Sequence, residues 1–314
     1  MKHLSRAFDG QNQWWKFVVV ILVALFVGQI VGAIPLVVVM VASIAMNGGQ
    51  VATPENPMDL SAYGINPSLG LALMVIPFIV TLVLAIVLIK SFHQRTSKDV
   101  VNGGQAFRWN RFWLGVVVWG AIMLILFFAQ LAISPEELEF RFDPASFIPL
   151  VFVAVLLIPI QSGTEEFIFR GYLAQGVAGW TKRRWAVILI PSVLFALLHG
   201  LNPEVKEHGF GMMMPSYFVF GVAFAITAVL DDGIELAIGI HAVNNTLGAL
   251  LVTTKESAIQ VPALFFQQET DPVKESLVLV LSSVVLLVVL KQILDWDFSI
   301  LWKKIEPPII TEEA

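Results

Sequence analysis

Thr164-Glu165-Glu166-Phe167-Ile168-Phe169-Arg170-Gly171-Tyr172 sets two adjacent carboxylates and an arginine inside a stretch that otherwise reads as one of many membrane-spanning segments. An ionisable side chain at that depth costs at least ~2.5–3.5 kcal/mol on insertion scales, so it is a functional hypothesis by default. Two later apolar segments carry one histidine each, His199 and His241, and Asn245 follows the second by one helical turn. These residues are read as one buried catalytic site.

Outward from that stretch, composition assigns the broad class. Of 314 residues, 57% are hydrophobic and only 14% charged, and the mean hydropathy is +0.80. Soluble domains average about 45–50% apolar and about 25% charged residues, so the chain reads as a polytopic membrane protein. The absence of cysteine excludes disulfides, thiolate metal sites and a cysteine nucleophile. Met1 to Lys16 is polar, and the apolar run after it is far longer than a signal-peptide core, so no cleavable leader is expected.

Spanning helices need about 20 mainly apolar residues. Segments near 17–46, 68–92, 112–133, 146–162, 185–200, 214–230, 234–253 and 275–294 qualify or nearly do. The expected fold is therefore all-α, a transmembrane helical bundle of about eight spans. The first span is expected to tilt or to bend at Pro35. The fourth is expected to continue toward Trp180, with a break near Pro159 or Gly163. With the N-terminus inside, the inner loops receive Lys2, Arg6, Lys16, Lys90, Arg95, Lys98, Arg108, Arg111, Lys182, Arg183, Arg184, Lys291, Lys303 and Lys304. The outer side holds only Arg141, Lys206, Lys255 and Lys274. That bias, with tryptophans 14, 15, 109, 113, 180, 185, 296 and 302 near the inner ends, predicts N-in and C-in. The outer connections 47–67 and 134–145 are acidic, and the tail after Trp302 is expected to be a short mobile end. Four sections follow: a cytoplasmic N-terminal segment 1–16, N-terminal spans 17–145, a catalytic membrane core 146–253, and an outer loop, last span and cytoplasmic tail 254–314.

The basic turn Lys182-Arg183-Arg184 serves as a ruler. Glu165 lies about 17 residues before Lys182 and His199 about 17 after it, so each is ~25 Å from the turn if both arms are helical. Antiparallel arms would bring the two to similar depth, where they could face each other. Glu166 and Arg170 have the favoured i,i+4 spacing for an intrahelical ion pair, which leaves Glu165, about 100° round the helix, free to act as a general base on water. Phe195 and His199 share a helix face, as do His241 and Asn245. An asparagine can donate to a developing oxyanion and a nearby imidazole can donate or accept. Each feature alone has a bland reading: carboxylates that merely neutralise Arg170, a histidine that packs, an amide that glues helices. Three such elements in consecutive parts of one chain weigh against it.

Glu165-Glu166-x-x-x-Arg170, Phe195-x-x-x-His199 and His241-x-x-x-Asn245, in that order on separate spans, resemble the three motifs of the CAAX-protease and bacteriocin-processing (CPBP, or Abi) family of intramembrane endopeptidases. The resemblance covers roughly 146–252. It implies a peptide-bond hydrolase in which Glu165 and His199 activate water, His241 and Asn245 form the oxyanion site, and Glu166 and Arg170 support them. Tyr172 receives no role. A metal-free mechanism is favoured; the alternative is a zinc enzyme ligated by Glu166, His199 and His241, against which stand the absence of HExxH and the asparagine partner.

The expected partners are a peptide or membrane-protein substrate and the lipid bilayer, with no nucleic acid. The expected location is a prokaryotic cytoplasmic membrane. Two other classes compete: a non-enzymatic immunity or regulatory membrane protein, and a proton-coupled transporter, which the lack of an internal repeat disfavours.

Overall fold

The computed structural model describes residues 2–48 and 54–307. Part of the loop 47–67, residues 49–53, and the tail from residue 308 lie outside the described residues. The fold is an all-α bundle. Its long helices are α1 (Trp14–Met46), α2 (Pro67–His93), α4 (Trp109–Ile133), α5 (Pro144–Thr181), α8 (Phe210–Leu230) and α10 (Pro272–Leu294), each long and apolar enough to cross a membrane. Two shorter helices, α6 (Arg184–Leu198) and α9 (Glu235–Leu251), stand at the fifth and seventh expected positions. Two short helices, α3 (Ser97–Asn102) and α7 (Pro203–His208), lie in connections. The molecule is an integral, multi-pass membrane protein.

Sequence explains most helix starts. Asn66, Asp143 and Asp271 each precede a proline at the first helical position and accept hydrogen bonds from the free N–H groups of the first turn of α2, α5 and α10. Interior prolines are tolerated: Pro35 in α1, Pro77 in α2, Pro149 and Pro159 in α5. The irregularities lie elsewhere than expected. Helix α1 widens to a π-helix at Val23–Val27, before Pro35. Helix α5 runs on through Pro159 and Gly163 and widens only at Phe167–Leu173, just beyond the glutamate pair. Freed backbone groups near a proline can be satisfied by small local adjustments, whereas an inserted π-turn re-aims every side chain after it.

Helix α9 is the central element. From Glu235 to Ala242 every residue is buried, and the helix packs on α4 and α5. Small residues permit the close approach. A Cβ on Gly115 of α4 would lie 2.5 Å from the carbonyl oxygen of Leu236, and one on Gly239 of α9 would meet the carbonyl of Phe112. Helix α8 packs against α6 and α10, and α2 against α1 and α5.

The two ends differ in chemistry. At one end the backbone N–H groups of Lys2 and His3 donate to Asp232, and Arg6 donates to the carbonyl of Gly103. Arg108 pairs with Asp231 and Glu235, and Arg184 donates to the carbonyls of Lys303 and Lys304. The loops read as inner therefore share one end. Residues 303–305 are tied down there, because Ile305 is buried and its N–H donates to the carbonyl of Lys182; the tail is ordered further than its charge suggested. At the other end a small sheet joins β1 (Leu138–Phe140), β2 (Val252–Thr253) and β3 (Phe265–Gln267) in the order β1–β3–β2, antiparallel then parallel. Asn56 there donates to the carbonyls of Lys255 and Ser257.

Candidate active site

Helix α5 supplies Glu165, Glu166 and Arg170, α6 leads into His199, and α9 supplies His241 and Asn245. Arg170 Nη1 lies 2.9 Å from Glu166 Oε1, and both side chains are fully buried. The expected i,i+4 ion pair is present. The guanidinium also donates to the carbonyl of Gly221 at 3.1 Å and stacks on Phe195, 4.3 Å from its ring centroid. Arginine can be held this way because its planar, weakly hydrated cation accepts both a carboxylate and an aromatic face.

Glu166 Oε1 has a second neighbour. His241 Nδ1 lies 2.8 Å from it. A carboxylate oxygen paired with arginine can only accept, so Nδ1 carries the proton. That hydrogen bond, with Phe224 stacked on the imidazole at 4.8 Å, sets the ring so that Nε2 lies 3.5 Å from Glu165 Oε2. Arg170, Glu166 and His241 thus form one hydrogen-bonded chain at the centre of the bundle, and Glu165 lies at its end with Oε2 not hydrogen-bonded. His199 is half-buried, and its Nδ1 donates to the carbonyl of Phe195 at 2.8 Å, which leaves Nε2 as an acceptor. Asn245 Nδ2 donates to Gln161 Oε1 at 3.0 Å, and Asn244 is held between Trp119 Nε1–H and the Asn245 side chain.

Glu165, His199, His241 and Asn245 all line one cavity of about 1060 Å³. Its walls are otherwise mainly apolar, from Phe26 and Ile30 on α1 and Met74 and Phe78 on α2 to Phe195 and Phe220. The fully buried Glu166 and Arg170 stand behind it. The closest imidazole contact of Glu165 is to His241, where the ruler along the two arms had paired it with His199.

A metal held by Glu166, His199 and His241 would need three lone pairs aimed at one point. Glu166 Oε1 is shared between Arg170 and His241, while each histidine has Nδ1 occupied as a donor and keeps Nε2 as its lone-pair atom. Among the described residues no three His, Asp or Glu side chains converge as a metal site requires. Oε1 of Glu166 is thus committed to partners other than a metal.

Several neighbours escaped the reading from sequence. Gln161 precedes Glu165 by one turn, and that spacing on an apolar helix was the available signal. Tyr217 stacks on His199 at 4.5 Å and donates its hydroxyl to Glu204; nothing local in the sequence marks it. Tyr172, left without a role, hydrogen-bonds His93 at 2.6 Å and stacks on Phe17, tying α5 to α1 and α2.

Comparison with known proteins agrees with the motifs. Residues 144–247 match the family model described as type II CAAX prenyl endopeptidase Rce1-like. A protein of Bacillus subtilis (strain 168), named uncharacterized protein YyaK, is 26% identical over 281 residues, covering 88% of this chain and 91% of that protein. No solved structure gives a significant match. The matched stretch 144–247 holds every motif residue of the site.

Proposed function

We propose that the protein is an intramembrane endopeptidase that hydrolyses a peptide bond in a membrane-associated peptide or protein by a metal-free, glutamate-activated water. The observation that carries this reading is the chain Arg170–Glu166–His241, at whose end the Glu165 carboxylate lies beside His241 Nε2 on the wall of an apolar cavity. Glu165 takes a proton from water as the oxygen attacks the scissile carbonyl carbon. The carbonyl oxygen becomes an oxyanion, to which Asn245 Nδ2–H donates after turning from Gln161. The C–N bond then breaks, the amine takes the proton back from Glu165, and a carboxyl and an amine terminus leave. Glu166 and Arg170 are positioning residues: they hold His241 in one tautomer and one orientation. His199, with Nε2 free as an acceptor, orients the attacking water.

Orientation belongs to the same proposal. The lysine and arginine bias supports N-in and C-in with eight crossings, α6 and α9 counted among them. The Bacillus relative supports a prokaryotic cytoplasmic membrane. The fourfold division of the chain, with 146–253 as catalytic core, follows from where the motif residues lie.

The deciding experiment compares new peptide termini in membranes carrying the wild-type chain or Glu165→Gln, with and without a zinc chelator. Termini should vanish in the variant and survive chelation, with a fall in cleavage rate of about 10²–10⁴. Loss under chelation would sink the metal-free mechanism. Identical termini in every sample, with both proteins folded, would leave a non-enzymatic partner-binding membrane protein.

A further inference from the structure

The catalytic cavity extends beyond the motif residues toward the end of the molecule that carries the small sheet. There its wall changes character. Glu204, at the start of α7, and Glu256, in the connection after β2, both line it, together with His208 and Thr270. Glu256 is only 9% exposed. Its Oε1 accepts from Thr270 Oγ1 at 2.7 Å and lies 3.3 Å from His208 Nε2, but its buried Oε2 has no hydrogen-bond partner. Glu204 repeats the pattern. Its Oε1 is engaged by Tyr217 and Asn202, and its Oε2 is buried without a partner.

Neither carboxylate has a lysine or arginine among the described residues. Lys255 pairs with Glu207, and Lys274 with Glu137. A buried carboxylate oxygen left without a donor bears a desolvation cost that a cation would offset. A metal ion is a poor fit, because no three ligating side chains converge there. An ammonium or guanidinium on a flexible stem fits better: its alkyl part can lie along the apolar wall while its head reaches the carboxylates.

We propose that Glu256 and Glu204 form a cation subsite of the catalytic cavity, which receives a lysine or arginine side chain of the peptide substrate. The proposal rests on the peptidase reading of the same cavity. Glu204 connects the two regions physically, since the Tyr217 that donates to it is stacked on His199. A substrate cation seated on the subsite would fix how far along the cavity the scissile bond lies. The subsite therefore selects for a positive charge at a set distance from the cleaved bond.

The test uses the full chain carrying Glu165→Gln in lipid nanodiscs, so that the probe is not consumed. Fluorescent decapeptides of alanine and leucine carry one lysine, or one norleucine, at each position in turn, and binding is followed by anisotropy. At one position the lysine peptide should bind about tenfold more tightly than its norleucine twin. That ratio should approach one when Glu256→Gln or, separately, Glu204→Gln is added, and should shrink at high salt. Equal affinities at every position, binding of neither series, or a ratio that survives both substitutions would overturn the subsite. Cleavage of the same peptides by the wild-type chain separates the two claims. A lysine preference in binding without any cleavage keeps the subsite and removes the peptidase; equal cleavage of both series keeps the peptidase and removes the subsite.

Discussion

Arg170 is fully buried and its carboxylate partner is one turn away. Removing one member of a buried pair leaves the other charge uncompensated, a loss of about 3–5 kcal/mol. Arg170→Met should lower the unfolding midpoint in detergent strongly, and adding Glu166→Gln to it should recover part of the loss. A double variant no more stable than the single one would mean that Arg170 acts through its aromatic and carbonyl contacts instead of through Glu166. Glu165 stands apart: it has no cationic side chain bonded to it and faces the cavity, so Glu165→Gln should leave the midpoint nearly unchanged while abolishing hydrolysis. This contrast between neighbouring glutamates was legible in the sequence, because i,i+4 geometry fixes which carboxylate meets Arg170. The identity of the imidazole beside Glu165 was not, because it depends on how far α9 is inserted between α4 and α5.

At the scale of elements, α9 is held by close helix contact on one side and by a charge lock at its first turn. Gly115 and Gly239 let the backbones of α4 and α9 touch. Gly115→Leu should push α9 outward, cost about 1–3 kcal/mol, and lower activity by moving His241 away from Glu165; unfolding and turnover measured on one preparation would check both. At the N-terminus of α9, Glu235 accepts from Asn102 at 2.5 Å and from Arg108 at 2.6 Å, while the segment ahead of α1 caps the neighbouring turn through Asp232. His3 is buried in that contact, among Asp232, Glu235 and Arg108. Burial lowers its pKa to about 4 from 6.5, Asp232 and Glu235 opposing. The unfolded state therefore binds more protons between those values, and His3 withdraws stability as pH falls from 6.5 to 4. Asp231 acts in the opposite sense: burial raises its carboxyl to about 6 against the pull of Arg108 and Arg111, so it adds stability on acidification below 6. The two offset each other in the wild type. His3→Phe should consequently gain stability relative to the wild type as pH drops from 6.5 to 4; a difference independent of pH would show that His3 is not held neutral.

For the whole molecule, charge asymmetry and fold agree in one respect that neither shows alone. Loops rich in lysine and arginine are joined by side-chain contacts at one end, and the cavity extends to the other, where Glu204 and Glu256 stand. Since the chain contains no cysteine, single cysteines report sidedness without background. In intact cells a membrane-impermeant maleimide should label Gln268→Cys beside the sheet, and should reach Gln105→Cys at the basic end only after lysis. The reverse pattern would invert the proposed orientation.

Apolar run lengths, capping residues before prolines and the spacing of ionisable groups determined, from sequence alone, the helical class, the positions of the helices, the Glu166–Arg170 pair and the set of residues that share a site. These are local properties: hydrophobic period, helix termini and i,i+4 neighbours are written within a few residues of one another. Tertiary structure alone decided that α5 widens after the glutamates, that His241 and not His199 is the closest imidazole to Glu165, and that Gln161, Tyr217, Glu204 and Glu256 border the same cavity. Those outcomes depend on how closely helices far apart in the chain approach, which the glycines at their crossings and the buried pairs between them settle, and no window of sequence contains both partners.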